Sequence, residues 1–205
     1  MRRINLVRKL IKMSLEESLM RVDPTGKIKL SEFSVVSPSD LIIQGLLEGF
    51  HLVGFAIGDC PELIIAFDFE DSSSVIARLL KLNKIETLEA YNIEEFVDSL
   101  LREMGNVIAG QFASWLSNFL GEDLLPSPPF SIKTVTQLER ILSHLDGGMG
   151  VPVFVGVVDG GMEGKMKVYI IPSLDFIKKI EGDPSIRRRL SNKNSHFRRR
   201  REYVR

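Results

Sequence analysis

The chain has 205 residues, 44% hydrophobic and 26% charged, ordinary values for a soluble globular protein with a real core. A single cysteine, Cys60, excludes an internal disulfide framework and fits a reducing compartment. No segment is long and apolar enough to span a bilayer, and the basic start MRRINLVRKLIK lacks an apolar signal core, so a cytoplasmic protein is expected.

In chain order, Leu6, Leu10, Ile11 and Leu15 recur at helical spacing and predict an amphipathic first helix, ended by the turn chemistry of Asp23–Lys27. Short strands follow. KIKLSEFSVV alternates imperfectly, and HLVGFAIG and ELIIAFDF are β-prone runs separated by GDCP. Cys60 lies in that turn. With only His51, His144 and His196 in the chain and no nucleophile signature, it is expected to be a small packed residue.

DSSS caps a predicted helix through SVIARLLKL, and a link from Asn83 to Asn92 leads to a long helix with Asn92 as N-cap and Glu95 as its capping-box partner. Leu120-Gly121 closes that helix, and SPPFS starts an extended segment. TQLERILSHL predicts a short helix. VPVFVGVV and KMKVYIIP flank DGGMEG as a β-hairpin, and LDFIKKIEG predicts a last helix. Gly147, Gly148 and Gly150 do not make a phosphate loop, because no Lys-Ser/Thr follows and the next element is a strand. No zinc-ligand pattern or G-x-S-x-G elbow is present.

The expected organisation is one α+β domain over residues 1–180 and a basic, disordered tail over 181–205. From Ile186 to Arg205 the chain has eight Arg and one Lys against Glu202, a net of +8, so the remainder carries −8. The arm suits nucleic acid or an acidic membrane, and a solvated tail is the plainer expectation.

The long helix has two faces. Val97, Leu101, Met104, Ile108, Phe112, Trp115 and Phe119 form a core stripe. The opposite stripe carries Ser99, Glu103, Asn106, Gly110, Ala113 and Ser117, with Glu103 and Asn106 side by side at i and i+3. Gly105 and Gly110 both weaken the helix, which implies close approach by its own sheet or by another protein.

Ser99-x3-Glu103-x2-Asn106, followed after 22 residues by Pro129, resembles the motif of the CheC/CheX/FliY family of response-regulator phosphatases. The resemblance covers most of residues 1–173. It implies a two-layer CheX/CheC-like α+β fold, a mainly antiparallel sheet with long helices packed on it. It also implies hydrolysis of the aspartyl phosphate of a CheY-like regulator. Glu103 and Asn106 are then the catalytic pair, with Ser99, Gly110 and Pro129 at the partner contact. The chain itself would bind no cofactor or metal, and Mg²⁺ would sit on the regulator. The first helix has Glu16 and Glu17 but no Asn three residues after either, so one site is expected, as in CheX. CheX-like members also imply a homodimer through the sheet, with the hairpin Val151–Pro172 as its candidate contact. The competing readings are a docking module without turnover for a regulator or flagellar component, and a dimeric platform for the basic arm.

Overall fold

The computed structural model describes residues 4–48, 52–59, 62–71, 93–146, 150–159 and 165–192, with side chains throughout except at 47–48, 69–71, 93–98, 100–101 and 146. Six strands form one antiparallel sheet: β1 (Lys29–Val36), β2 (Leu52–Ile57), β3 (Leu63–Asp71), β4 (Phe130–Ile132), β5 (Val153–Asp159) and β6 (Lys165–Pro172). Their order is β1-β5-β6-β3-β2-β4. Six helices are described: α1 (Ile4–Val22), α2 (Pro38–Glu48), α3 (Ile93–Leu120), α4 (Val135–Asp146), α5 (Leu174–Gly182) and α6 (184–192).

Side-chain alternation along the strands separates two cores. On one face Phe55, Ile65, Phe67, Phe154, Val168 and Ile170 pack with α1, α3, α5 and α6. On the other, Leu52, Ile64, Tyr169 and Ile171 pack with Leu41 of α2 and Leu138, Leu142 and Leu145 of α4. The α+β class and the antiparallel sheet with long helices are therefore as expected. The two-layer picture needs a third layer, since the inner strands are apolar on both faces and α2 and α4 cover the second.

The sequence pattern did not mark α2. Its start is a capping arrangement: the Ser37 hydroxyl accepts from the Asp40 amide at 3.1 Å, and the Ser37 amide and hydroxyl donate to the Asp40 carboxylate. Thr134 and Gln137 start α4 in the same way, and Ser173 caps α5. The turn after α1 is organised by buried Asp23, whose carboxylate accepts from the amides of Thr25, Lys27 and Ile28. Gly26 there has φ 71°, a conformation that suits glycine.

The hairpin strands β5 and β6 lie inside the sheet, each paired on both sides, so among the described strands β1 and β4 are the edges open to strand addition. One expectation is corrected. The basic tail does not begin at 181. Residues 184–192 are helical, and Ile186 and Leu190 are 2% and 0% exposed in the main core. Asp183 starts this helix by accepting from the Ser185 amide at 2.7 Å; hydrogen bonds from the Ser185 side chain and backbone hold its carboxyl below the usual range.

Arg189 donates to the Phe119 carbonyl at 2.5 Å and lies 5.2 Å over the Phe119 ring, capping the end of α3. Lys179 holds the same end by donating to Glu62 at 2.8 Å and to Glu122. Burial works against its charge, but the hydrogen bonds with Glu122 and Glu62 outweigh it and raise its pKa. Arg187 and Arg188 remain exposed on α6.

Several expectations lie outside the described residues: Cys60, the whole helix through SVIARLLKL, the 83–92 link with Asn92, Gly147 and Gly148, the turn at 160–164, and the arm from 193.

Candidate functional site

The long helix α3 is clamped from two directions. Met104, Ile108, Phe112, Trp115 and Phe119 are buried as the core stripe requires, while the side chains of Val97 and Leu101 lie outside the described set. Trp115 stacks on Phe119 with ring centroids 5.2 Å apart. Burying each of these large side chains contributes on the order of 2–3 kcal/mol. Ala113, expected on the outward stripe, is 1% exposed. Ala109 and Leu116 are buried with it because α1 packs along this flank, so the apolar arc is wider than one stripe.

What remains outward is a narrow strip. Ser99, Glu103 and Asn106 are exposed, and Gly110 and Ser117 are half-exposed. No hydrogen bond or ion pair among the described residues engages the side chains of Glu103 or Asn106. At i and i+3 their Cβ atoms lie roughly 5–6 Å apart. Val107, 44% exposed, adds an apolar group beside Asn106 that the polar pattern did not single out. Its position in EMGNV, directly after the motif asparagine, is the signal that would have found it.

The two glycines differ. A Cβ on Gly105 would lie 2.9 Å from Phe55 Cε2 and 3.3 Å from Phe67 Cδ2, so the helix's own sheet explains that glycine. A Cβ on Gly110 would meet nothing within 4 Å. Gly105→Ala is expected to destabilise the fold by about 1–3 kcal/mol, since the buried rings cannot move aside. Gly110→Ala is expected to stabilise it by up to about 1 kcal/mol. Urea melts of the two variants check both signs.

Pro129 belongs to a segment that returns alongside α3. The Ser117 hydroxyl accepts from the Leu124 amide at 2.9 Å, and Arg102 donates to Ser131 Oγ at 2.9 Å. Between these anchors the helix rises roughly 22 Å at 1.5 Å per residue. The extended chain from Leu124 to Ser131 covers roughly 23 Å. The two therefore run antiparallel at matched length. Two residues before Ser131, Pro129 falls roughly four helix positions beyond Arg102, level with Asn106. The 22-residue spacing in the sequence is thus a register. Ser99, Glu103, Asn106 and Gly110 share one helix face, and Pro129 stands beside it on the sheet-edge segment.

Glu16 and Glu17 of α1 are half-buried, with Lys12 at 3.9 Å from Glu16. Leu19 and Met20, not asparagine, stand three residues after them. Among the described residues no group of three or more His, Cys, Asp or Glu side chains is placed to hold a metal ion, and no helix is long and apolar enough to cross a membrane.

The α+β domain thus presents an exposed carboxylate and carboxamide on one helix face, unengaged among the described residues. Residues 96–132, which span the whole strip and β4, match the model of the CheC-like family. No curated protein matches the chain. Among solved structures, FliY of Thermotoga maritima is similar over 87% of this chain and 93% of its own, with a TM-score of 0.54 and 15% identity. FliM of H. pylori, in its complex with SpeE, is similar over 88% and 93%, with a TM-score of 0.53 and 11% identity. CheX of Borrelia burgdorferi, in a CheX–CheY–BeF3–Mg²⁺ complex, is similar over 82% and 97%, with a TM-score of 0.46 and 17% identity. The first two define the shared fold. The chain resembles the CheC/CheX/FliY family in both that fold and the motif segment.

Proposed function

We propose that this protein hydrolyses the aspartyl phosphate of a CheY-like response regulator, docking through the exposed strip of α3. The observation that carries the reading is the exposure of Glu103 and Asn106, both unengaged among the described residues, inside the CheC-like segment. An aspartyl phosphate is a reactive acyl phosphate, and the regulator brings its own Mg²⁺ and a lysine near the phosphoryl group. What a partner adds is geometry: a water held in line with phosphorus and a fixed pose.

A carboxamide suits the first task because it donates and accepts without titrating. Asn106 orients the water. Its oxygen attacks phosphorus, the bond to the aspartate oxygen breaks, and the regulator's carboxylate and inorganic phosphate are released. Glu103 pairs with the regulator's lysine.

Glu103→Ala is expected to raise KM for the phosphorylated regulator about tenfold with kcat within about twofold, as loss of a docking contact should. Unchanged kinetics would remove Glu103 from the site. Gly110, with open space where a Cβ would stand, is a smooth shoulder for the partner. Gly110→Ala is expected to weaken docking even though it strengthens the helix.

A second reading has a specific observation behind it: the chain is as similar to FliM, which assembles with SpeE in its complex, as to FliY. A docking module with this fold keeps the same helix face and lacks turnover. Phosphate release from a phosphorylated regulator separates the two readings.

A further inference from the structure

We propose that Arg102 is a positioning residue for this site: by tying β4 to α3 it sets the width of the cleft beside Asn106 into which the regulator docks. The partner's identity rests on the reading above, whereas the tie is a property of this chain alone.

The segment that forms the far wall of the cleft is tied to the sheet along one side only, through β2. Pro126, Pro128 and Pro129 have no N–H to donate. The Ser127 amide donates to the Ala56 carbonyl at 2.7 Å, its hydroxyl accepts from the Ala56 amide at 3.0 Å, the Gly58 amide donates to the Leu125 carbonyl at 3.0 Å, and β4 pairs with β2 over three residues. β4 is also an edge strand. Phe130 presses onto Gly54, where a Cβ would stand 2.7 Å from its ring, so β4 is registered against the sheet; neither contact fixes its distance from the helix. Among the described residues, side-chain contacts span that gap from Ser117 to Leu124 at one end and from Arg102 to Ser131 at the other.

Arg102 is adjacent to Glu103 and one helical turn from Asn106, so its end of the cleft is the end that carries the motif. Its half-buried side chain keeps a planar, pre-organised donor fork on the Ser131 hydroxyl. Without it, the proline-rich wall keeps its pairing with β2 but loses its tie to the helix at the Asn106 end. A displacement of about 1 Å there is enough to matter for a positioned water or a docked partner.

The test uses the full chain with Arg102→Met, which keeps the apolar stem, Ser131→Ala, their double variant, and Arg102→Lys. Two readouts are taken: amide exchange at Ser127 in the free protein, and KM and kcat with a phosphorylated CheY-like regulator. Both single variants are expected to speed exchange at Ser127 about tenfold and raise KM about tenfold with kcat within about twofold, the double variant being no worse than either. Arg102→Lys should restore part of the KM. Unchanged exchange at Ser127 in both single variants overturns the tie. A raised KM in Arg102→Met with Ser131→Ala silent also overturns it, because Arg102 would then touch the partner directly. If the unmodified protein gives no phosphate release, the phosphatase reading falls and the exchange result alone decides the tie.

Discussion

Asn106→Ala is expected to lower the accelerated rate of aspartyl-phosphate hydrolysis about 100-fold, the scale on which a misplaced reacting group costs rate, while affinity for the regulator stays within a factor of about 2. The side chain is exposed and engages no hydrogen bond among the described residues, so its removal leaves no buried group unsatisfied. Alanine also has the higher helix propensity, so the fold should be unharmed. Single-turnover phosphate release together with a binding measurement separates the two parameters. An unchanged rate would take the water-orienting role away from Asn106. A lost rate with lost binding would make it a docking residue.

Leu190→Ala is expected to destabilise the protein by about 2–5 kcal/mol, as a fully buried leucine should. Arg187→Ala, on the exposed side of the same helix, should stay within about 0.5 kcal/mol. Thermal and urea denaturation of the two variants check the contrast. A solvated tail predicts no effect for either. The consequence reaches α3, since Leu190 helps seat the helix whose Arg189 caps the Phe119 carbonyl. Removing residues 184–192 should therefore loosen the C-terminal turns of the motif helix along with the core.

Much of the fold was legible because its signals are local. The strands at 52–57 and 63–71 are dense β-branched and aromatic runs, and the Asp23–Lys27 turn and Gly121 stop their helices by backbone chemistry. α2 was missed although Ser37, Pro38 and Asp40 spell a helix start, because its apolar residues lie between two β-prone runs. α6 was hidden by charge: Ile186 and Leu190 stand at i and i+4, but the arginines between them read as a solvated arm. Ala113 shows the limit of a two-faced helix drawing. Its environment is set by α1, about 100 residues away in the chain, and no periodicity within α3 reports that contact. Within the site, the spacing from Asn106 to Pro129 was legible as a pattern. Its physical meaning, an extended strand matched to the rise of a helix, needed the anchors at Ser117 and Arg102. The contrast between Gly105 and Gly110 was likewise out of reach, since it depends on where Phe55 and Phe67 place their rings.

The central claim is turnover at the exposed strip of α3, and the most direct measurement is phosphate release from a ³²P-labelled CheY-like regulator of the same organism, with and without this protein. The account predicts release faster than the regulator's own rate, and saturable in regulator. A rate equal to that of the regulator alone, with binding to the phosphorylated regulator intact, would contradict it and leave a docking module with this fold.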